Sequence, residues 1–405
     1  MLSYKYEARD PASGKKIIGE IQADSEKSVA KAVKEQGYAL ISVQASGEGN
    51  FLTGLLKRRI TSKDKVIFAR QLSTLINAGL PLVQSLRSVL NQTKNEKMKI
   101  VLADIITRVE GGSTFSKALE VYPRVFNQVF VSLIAAGETS GTLDTSLDRL
   151  ANQQEKDAEL VSKVRGALIY PIIVLLVMGG VVGFMIVAVL PQVRELYDGL
   201  PGTQLPFVTI ALLWVSDFVI NYWWAVLIVL GFMTFSGTRW ARTAGGKTVI
   251  DGLKTKVPLL GPLYRKLYMA RFARTATTLI SSGVQLIQTL DITGKAIDNV
   301  HLEKSLKAVV EKVKGGKALS ASMAGDTNFV ELVPQMIKIG EDSGAIEQML
   351  DRVATYFEKE VDNAVKAIST IIEPVLMIVL GIVSLIIVGA ILLPIYGLVG
   401  QGVLG

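Results

Sequence analysis

Two short segments place a glutamate in the same setting. GETSG begins at Gly137 and GEDSG begins at Gly340, a shift of 203 residues. Paired carboxylates can perform general acid–base chemistry, but no nucleophile or base accompanies Glu138 or Glu341, so catalysis is a poor interpretation. Two interpretations remain: a structural turn, and a turn that also presents a carboxylate to a protein partner or a cation.

The turn interpretation accounts for the residues around each glutamate. Gly137 would end one helix, the hydroxyl of Ser140 would cap the next helix, and an acid in its first turn would favour the positive end of the helix dipole. Such a turn does not require either glutamate, and contact with a partner therefore stays open. The candidate contact residues are Glu138, Ser140, Gly141, Glu341, Ser343 and Gly344.

The repeat extends far beyond these segments. FARQLSTLINAGLPLVQSL from Phe68 aligns with FARTATTLISSGVQLIQTL from Phe272. Apolar periodicity, with glycine and proline as breakers, predicts a six-helix bundle at 61–165 and a second one at 262–370. In the first bundle, the helices after the opening one are predicted at 82–92, 95–110, 114–120, 125–136 and from about Ser140 onward.

Part of the chain belongs in lipid. Its mean hydropathy is +0.38, and 49% of its 405 residues are hydrophobic. Three stretches almost free of charge are long enough to cross a hydrocarbon core, which takes roughly 20 apolar residues. They predict transmembrane helices at 166–190, 211–236 and 371–394, a short periplasmic loop at 191–206 and a periplasmic tail at 395–405.

The N-terminal region has a different pattern. Residues 1–45 alternate like strands around one helical segment, and residues 46–60 are typical of a linker. We therefore predict an all-α membrane protein with two duplicated cytoplasmic six-helix bundles, three transmembrane helices and a small α+β subdomain at the N-terminus.

Two prolines occupy equivalent positions in the repeat. Pro171 and Pro374 are 203 residues apart, where the last helix of each bundle is predicted to enter the membrane. Proline removes one backbone hydrogen bond and kinks a helix. Both prolines are therefore hinge candidates.

Cations follow the second predicted span. Between Arg239 and Arg274, nine lysines and arginines accompany a single acid, Asp251. A juxtamembrane cluster of this kind attracts anionic headgroups, so membrane lipid is an expected partner. The predicted patch comprises Arg239, Arg242, Lys247, Lys254, Lys256, Arg265 and Lys266.

No cofactor and no nucleic acid are expected. ARTAGGKT from Ala241 lacks the leading glycine of a phosphate-binding loop and follows a predicted span rather than a buried strand. His301 is the only histidine, which excludes a histidine-based metal site within one chain and leaves other metal sites open. The basic cluster lacks the aromatic platform or reading helix of a nucleic-acid binder.

Together these features resemble one family, the polytopic inner-membrane platform proteins of type II secretion systems and type IV pilus machines. The resemblance covers nearly the whole chain. It rests on the duplicated FAR and GE-x-S-G segments, on KVPLLGPLYRK from Lys256 and on LPFVTIALLWVSDF from Leu205. It implies a non-enzymatic scaffold that passes the motion of a hexameric assembly ATPase to pilin or pseudopilin subunits. Other inner-membrane assembly proteins and further copies of the chain are also expected partners.

A three-span transporter or receptor with cytoplasmic helical domains is the alternative. It predicts a ligand site within the membrane. The most specific motifs of this chain lie instead in the predicted bundles, which favours the platform.

The distribution of lysine and arginine predicts the orientation in the bacterial inner membrane. Only one of the 44 lysines and arginines, Arg194, lies between residues 166 and 238. Loops that contain many cations resist translocation across the membrane. The N-terminus should therefore be cytoplasmic and the C-terminus periplasmic. A reporter that works only outside the cytoplasm should be active after Leu404 and silent after Lys57 or Lys254. The reverse pattern would overturn the arrangement.

Overall fold

A computed structural model describes residues 2–9, 16–23, 26–35, 37–45, 59–198, 207–258 and 260–400. Most of the predicted linker, the second half of the predicted loop at 191–206 and the end of the predicted tail lie outside these residues. The N-terminal sheet belongs to one compact unit of the chain, and most of the helical region belongs to another.

The N-terminal unit contains a three-stranded antiparallel sheet and one helix. The elements are β1 (Leu2–Arg9), β2 (Lys16–Ala23), α1 (Glu26–Glu35) and β3 (Ala39–Ala45), and the strand order is β2-β1-β3. Val29 and Val33 are one helical turn apart on α1, and both are fully buried, as is Ala8 of β1. This spacing gives α1 a single apolar face.

The first bundle contains six helices between residues 62 and 165, all of which the structure describes. Three phenylalanines form its core: the rings of Phe68, Phe126 and Phe130 have centroids 4.9 to 6.1 Å apart. Its helices are α2 (Ser62–Asn77), α3 (Leu82–Gln92), α4 (Glu96–Glu110), α5 (Phe115–Glu120), α6 (Gln128–Ser140) and the first part of α7 (Leu143–Phe184).

The predicted helix stop at Gly137 is wrong. Helix α6 continues to Ser140, and its C-cap is Gly141, which has a left-handed φ of 72°. Glycine adopts this conformation without the steric cost that a Cβ imposes. The periodic pattern ends near both glycines, and only the backbone geometry distinguishes them.

The chain then crosses its apolar region. Helix α7 passes into a π-helical segment, Met185–Val189, which is followed by α8 (Leu190–Asp198), α9 (Phe207–Ala241) and α10 (Ala244–Lys256). The predicted loop at 191–206 is therefore helical up to Asp198. The predicted span at 211–236 is longer than expected, and α9 is kinked at Tyr222, where φ is −119° and ψ is 22°.

The second bundle repeats the first. The ring centroids of Phe272 and Phe329 are 6.1 Å apart, and Phe329 is equivalent to Phe126. The helices are α11 (Leu260–Ser281), α12 (Leu286–Ala296), α13 (Val300–Lys314), α14 (Leu319–Met323), α15 (Leu332–Ser343) and α16 (Ile346–Gly400).

Three helical segments are long and apolar enough to cross a membrane: Leu143–Gln192, Thr209–Ala241 and Ile346–Leu392. The predicted all-α membrane fold with a duplicated helical unit is confirmed.

Polar contacts join the spans to one another. The hydroxyl of Thr209 donates to the carbonyl of Ala390 at 3.1 Å, and Ser216 donates to the carbonyl of Ile186 at 2.6 Å. Arg194 also forms an ion pair with Asp217 at 2.7 Å. Each contact connects α9 to one of the other two spans or to the helix that follows the first span.

The two bundles contact each other through α7. Gln153 donates to the hydroxyl of Thr275 at 3.0 Å, and Lys163 donates to the carboxylate of Asp362 at 2.9 Å. Beyond the contact between Lys163 and Asp362, a lipid-facing cleft is lined by residues 173–182 of α7 and 380–387 of α16. Residue numbers therefore increase in the same direction on both helices, which run side by side. Both bundles therefore lie on the same side of the apolar region.

Candidate functional site: a carboxylate cap repeated in both bundles

Glu138 caps the start of helix α5. The backbone N–H of Phe115 donates to Glu138 Oε1 at 2.5 Å, and that of Ser116 donates to Oε2 at 3.0 Å. The Ser116 hydroxyl also donates to Oε2. The first N–H groups of a helix have no partner within the helix and carry partial positive charge. A carboxylate satisfies them with charge-assisted hydrogen bonds.

Glu341 makes the same contacts in the second bundle. The N–H groups of Leu319 and Ser320 donate to its two oxygens at 2.6 and 3.1 Å, and the Ser320 hydroxyl donates as well. We call these two arrangements the carboxylate caps. Each cap ties a short helix to the end of the helix that follows it, and both glutamates are half-buried.

Glycine before each glutamate permits a close approach between helices. A Cβ on Gly137 would lie 2.6 Å from Cβ of Ser146, and one on Gly340 would lie 2.8 Å from Cα of Ile346. Real Cβ atoms do not come this close to a neighbour, so a larger residue would push the two helices apart. In both copies, therefore, the glycine at the helix contact directly precedes the glutamate that caps the short helix.

The predicted serine cap at Ser140 is wrong, and the equivalent Ser343 does not cap a helix either. The hydroxyl of Ser140 donates to the carbonyl of Ala136 at 2.8 Å, and that of Ser343 donates to the carbonyl of Ile339 at 2.6 Å. Each serine is the last residue of its helix, where its hydroxyl bonds back by one turn. It therefore does not begin the next helix.

The glutamates have a structural role of their own, which the turn interpretation did not assign to them. Both oxygens of each carboxylate accept hydrogen bonds from the same chain. The chain turns a corner after each of the helices that contain these glutamates, α6 and α15. Ser140 and Gly141 form the first corner, Ser343 and Gly344 form the second, and all four residues are exposed. Contact between these six candidate residues and a partner stays a prediction.

An arginine clamp, missed in the sequence, stabilises the first bundle. Arg70 of the FAR segment donates from Nε to Glu155 at 2.6 Å and forms an ion pair with Asp148 at 3.0 Å. Both acids lie on α7. Hydrogen bonding to Glu155 raises the pKa of Arg70, against the opposing effect of desolvation. The clamp thus fixes α2 against the helix that continues into the apolar region.

The second bundle contains an equivalent clamp. Arg274 donates to Glu358 at 2.7 Å and to Asp351 at 2.6 Å. Burial lowers the pKa of Arg274, but hydrogen bonds to these two carboxylates outweigh it, and the net pKa is raised. The signal was present in the sequence, because both arginines and all four acids are duplicated in register.

The two hinge candidates lie inside continuous helices. Pro171 is within α7 and Pro374 is within α16, so the chain remains helical on both sides of each proline. Their role as hinges stays a prediction.

The basic patch is partly neutralised in three dimensions. Three ion pairs are present: Lys247 with Asp298 at 2.7 Å, Lys254 with Asp251 at 3.0 Å and Lys266 with Glu360 at 2.7 Å. Counting along the sequence missed two of these acids because Asp298 lies in the turn before α13 and Glu360 lies on α16, both far along the chain from the patch. The remaining patch residues are exposed: Arg239, Arg242, Lys256 and Arg265.

Within the described part of the chain, no cluster of three or more histidine, aspartate or glutamate side chains could hold a metal ion. The contacts that the duplicated site makes are those of helix capping and of electrostatic clamping.

The charge of Glu341 should contribute to stability. Glu341→Gln turns an NH2 group toward backbone donors, so the free energy of unfolding should fall by about 1.5 to 3 kcal/mol. Asp342→Asn removes the neighbouring exposed charge and should change it by less than about 0.5 kcal/mol. Denaturation of both full-length variants in detergent, followed by circular dichroism, measures the difference. Equal midpoints would contradict a stabilising cap.

Comparison with known families assigns both repeats to one domain type. The family described as "Type II secretion system (T2SS), protein F" matches residues 68–191 and again 272–394. The family described as "Type II secretion system protein F, N-terminal domain" matches residues 1–44.

Full-length relatives come from pilus and secretion systems. The chain is 37% identical over 405 residues to the type IV pilus assembly protein PilC of Thermus thermophilus, covering 99% of each chain. It is 37% identical to PilC of Myxococcus xanthus, covering 96% of this chain and 93% of the relative. It is 33% identical to the type II secretion system protein F of Xanthomonas campestris, covering 98% and 99%. The chain therefore belongs to the type II secretion system protein F family.

Proposed function

We propose that this chain is the inner-membrane platform of a type IV pilus or type II secretion machine. As a member of the family with three apolar helices, it is a multi-pass inner-membrane protein. Its role is that of an assembly scaffold rather than an enzyme. The observation that carries the proposal is the 37% identity to a pilus assembly protein across 99% of both chains.

The bundles are the proposed docking surface for a cytoplasmic hexameric assembly ATPase. Two similar bundles on one side of the membrane present two similar exposed corners, at Gly141 and Gly344. A ring of identical subunits also presents repeated surfaces, so one ring can contact both corners. The arginine clamps support this role because they tie each bundle to the helix that enters the membrane, and the carboxylate caps fix the short helix of each bundle beside its exposed corner.

Pilin or pseudopilin subunits are the proposed partners within the membrane. A cleft of about 320 Å³ lies between α7 and α16, and its lining is aliphatic except for Met178 and Ser384. An apolar helix of a pilin subunit fits such a surface through van der Waals packing. The transporter alternative predicts a ligand site within the membrane, where ionisable groups would be expected, and the lining of this cleft contains no ionisable side chain.

Deletion and complementation test the platform proposal. Loss of the gene should abolish surface pili, counted by electron microscopy, or release of the secreted substrate, and the full chain should restore it. Chemical cross-linking in the complemented cells should recover the assembly ATPase. Normal fibres and normal secretion in the deletion strain would exclude the platform role.

The hinge prediction concerns Pro171 and Pro374. Alanine at both positions restores the missing backbone donors and should straighten and stiffen the two helices. We expect normal amounts of protein in the membrane but reduced fibre assembly or secretion. Pro334→Ala is the matched control because Pro334 lies in the first turn of α15, where no helical hydrogen bond is lost. Full assembly by the double variant would remove the prolines from the mechanism.

A further inference from the structure

Helix α10 has an inverted distribution of polar and apolar residues. Asp251 is 1% exposed, whereas Val249 and Leu253 are 55% and 59% exposed. A helix with a solvated outer face normally shows the opposite arrangement. The outer face of α10 therefore suits an apolar environment better than water.

Contacts on the inner face fix the rotation of α10 about its axis. The carboxylate of Asp251 accepts hydrogen bonds from Val300 N–H at 3.2 Å and from Lys254 at 3.0 Å. The ring of His301 lies with Nε2 at 3.1 Å from the carbonyl oxygen of Thr248. These contacts attach α10 to the start of α13, so Val249 and Leu253 cannot turn toward the bundle.

The first end of α10 lies next to the membrane. Helix α9, a candidate span, ends at Ala241, and α10 begins at Ala244. Only Arg242 and Thr243 separate them, so α10 begins where α9 leaves the lipid.

The second end of α10 also lies close to the membrane. Lys266 pairs with Glu360, and Arg274 pairs with Asp351, so α11 and α16 are antiparallel. By this register Leu260, the first residue of α11, is level with Lys366. Lys366 precedes Glu373, the last charge before the apolar part of α16, by seven residues or about 10 Å. Helix α10 ends four residues before Leu260.

We infer that α10 lies flat on the lipid headgroup layer, with Val249 and Leu253 inserted at the boundary between headgroups and acyl chains. Exposed cations, Arg242 and Lys256, flank the two aliphatic side chains, as in helices that bind anionic membrane surfaces. The occupant of this face is the membrane in which the protein already sits. The inference goes beyond the platform function and does not depend on it.

Fluorescence quenching tests this placement directly. The chain has no cysteine, so Val249→Cys and Leu253→Cys each accept a single environment-sensitive fluorophore. The full-length proteins are reconstituted in vesicles of phosphatidylcholine and phosphatidylglycerol with brominated acyl chains. Ile339→Cys is the control because Ile339 is 53% exposed and lies far from the membrane. It precedes α16, and α16 extends about 40 Å from its first residue to Glu373, where its apolar part begins.

Labels at positions 249 and 253 should lose most of their fluorescence to the brominated lipid and resist quenching by iodide in the water phase. The label at position 339 should show the reverse. Iodide quenching of both α10 labels to the level of the control, with no effect of bromine, would overturn the inference and leave the face to a protein partner. The two α10 positions are labelled separately, and unchanged thermal unfolding verifies the fold of each.

Discussion

In both bundles an arginine ties the first helix of the bundle to the helix that continues into the membrane. Two carboxylates on α7 hold Arg70, and two on α16 hold Arg274. A guanidinium has a fixed planar set of donors, so the clamp sets register as well as distance. Because α7 and α16 are unbroken from the clamp to the apolar region, this register also sets the height of each bundle above the lipid.

The repeat is faithful in the bundles and diverges in the membrane. Met185–Val189 form a π-helical segment at the end of the first span, whereas the equivalent residues of α16 are α-helical. A π turn contains an extra residue, which rotates the following residues by about 100° relative to an unbroken α-helix. The Ile186 carbonyl in this segment accepts a hydrogen bond from Ser216. Helix α9 also donates to the third span, from Thr209 to the carbonyl of Ala390, but that carbonyl lies in an unbroken α-helix.

Local patterns predicted the elements, and tertiary contacts decided the details of the site. Periodicity and breakers were sufficient for the helices and for the duplication. Placing Glu138 required knowing that α5, more than twenty residues earlier, starts beside it. The difference between Gly137 and Gly141 depends on backbone geometry and on the proximity of Ser146, and neither is visible in a single sequence. The π segment has no local signal, since its residues are ordinary for a span.

Helix α9 lies outside both repeats, which end at Leu190-Pro191 and Leu393-Pro394. The number of membrane crossings between the two bundles explains why it is needed. Each repeat ends in one crossing, so a simple tandem copy would emerge on the opposite face of the bilayer from its sister. The hydrogen bond between Gln153 and Thr275 requires both copies on one face. An even number of crossings between them meets this requirement, and it relates the copies by rotation about the membrane normal. A tandem copy of bundle and span alone therefore does not give this architecture, and α9 supplies the return crossing that brings the second bundle back to the face of the first.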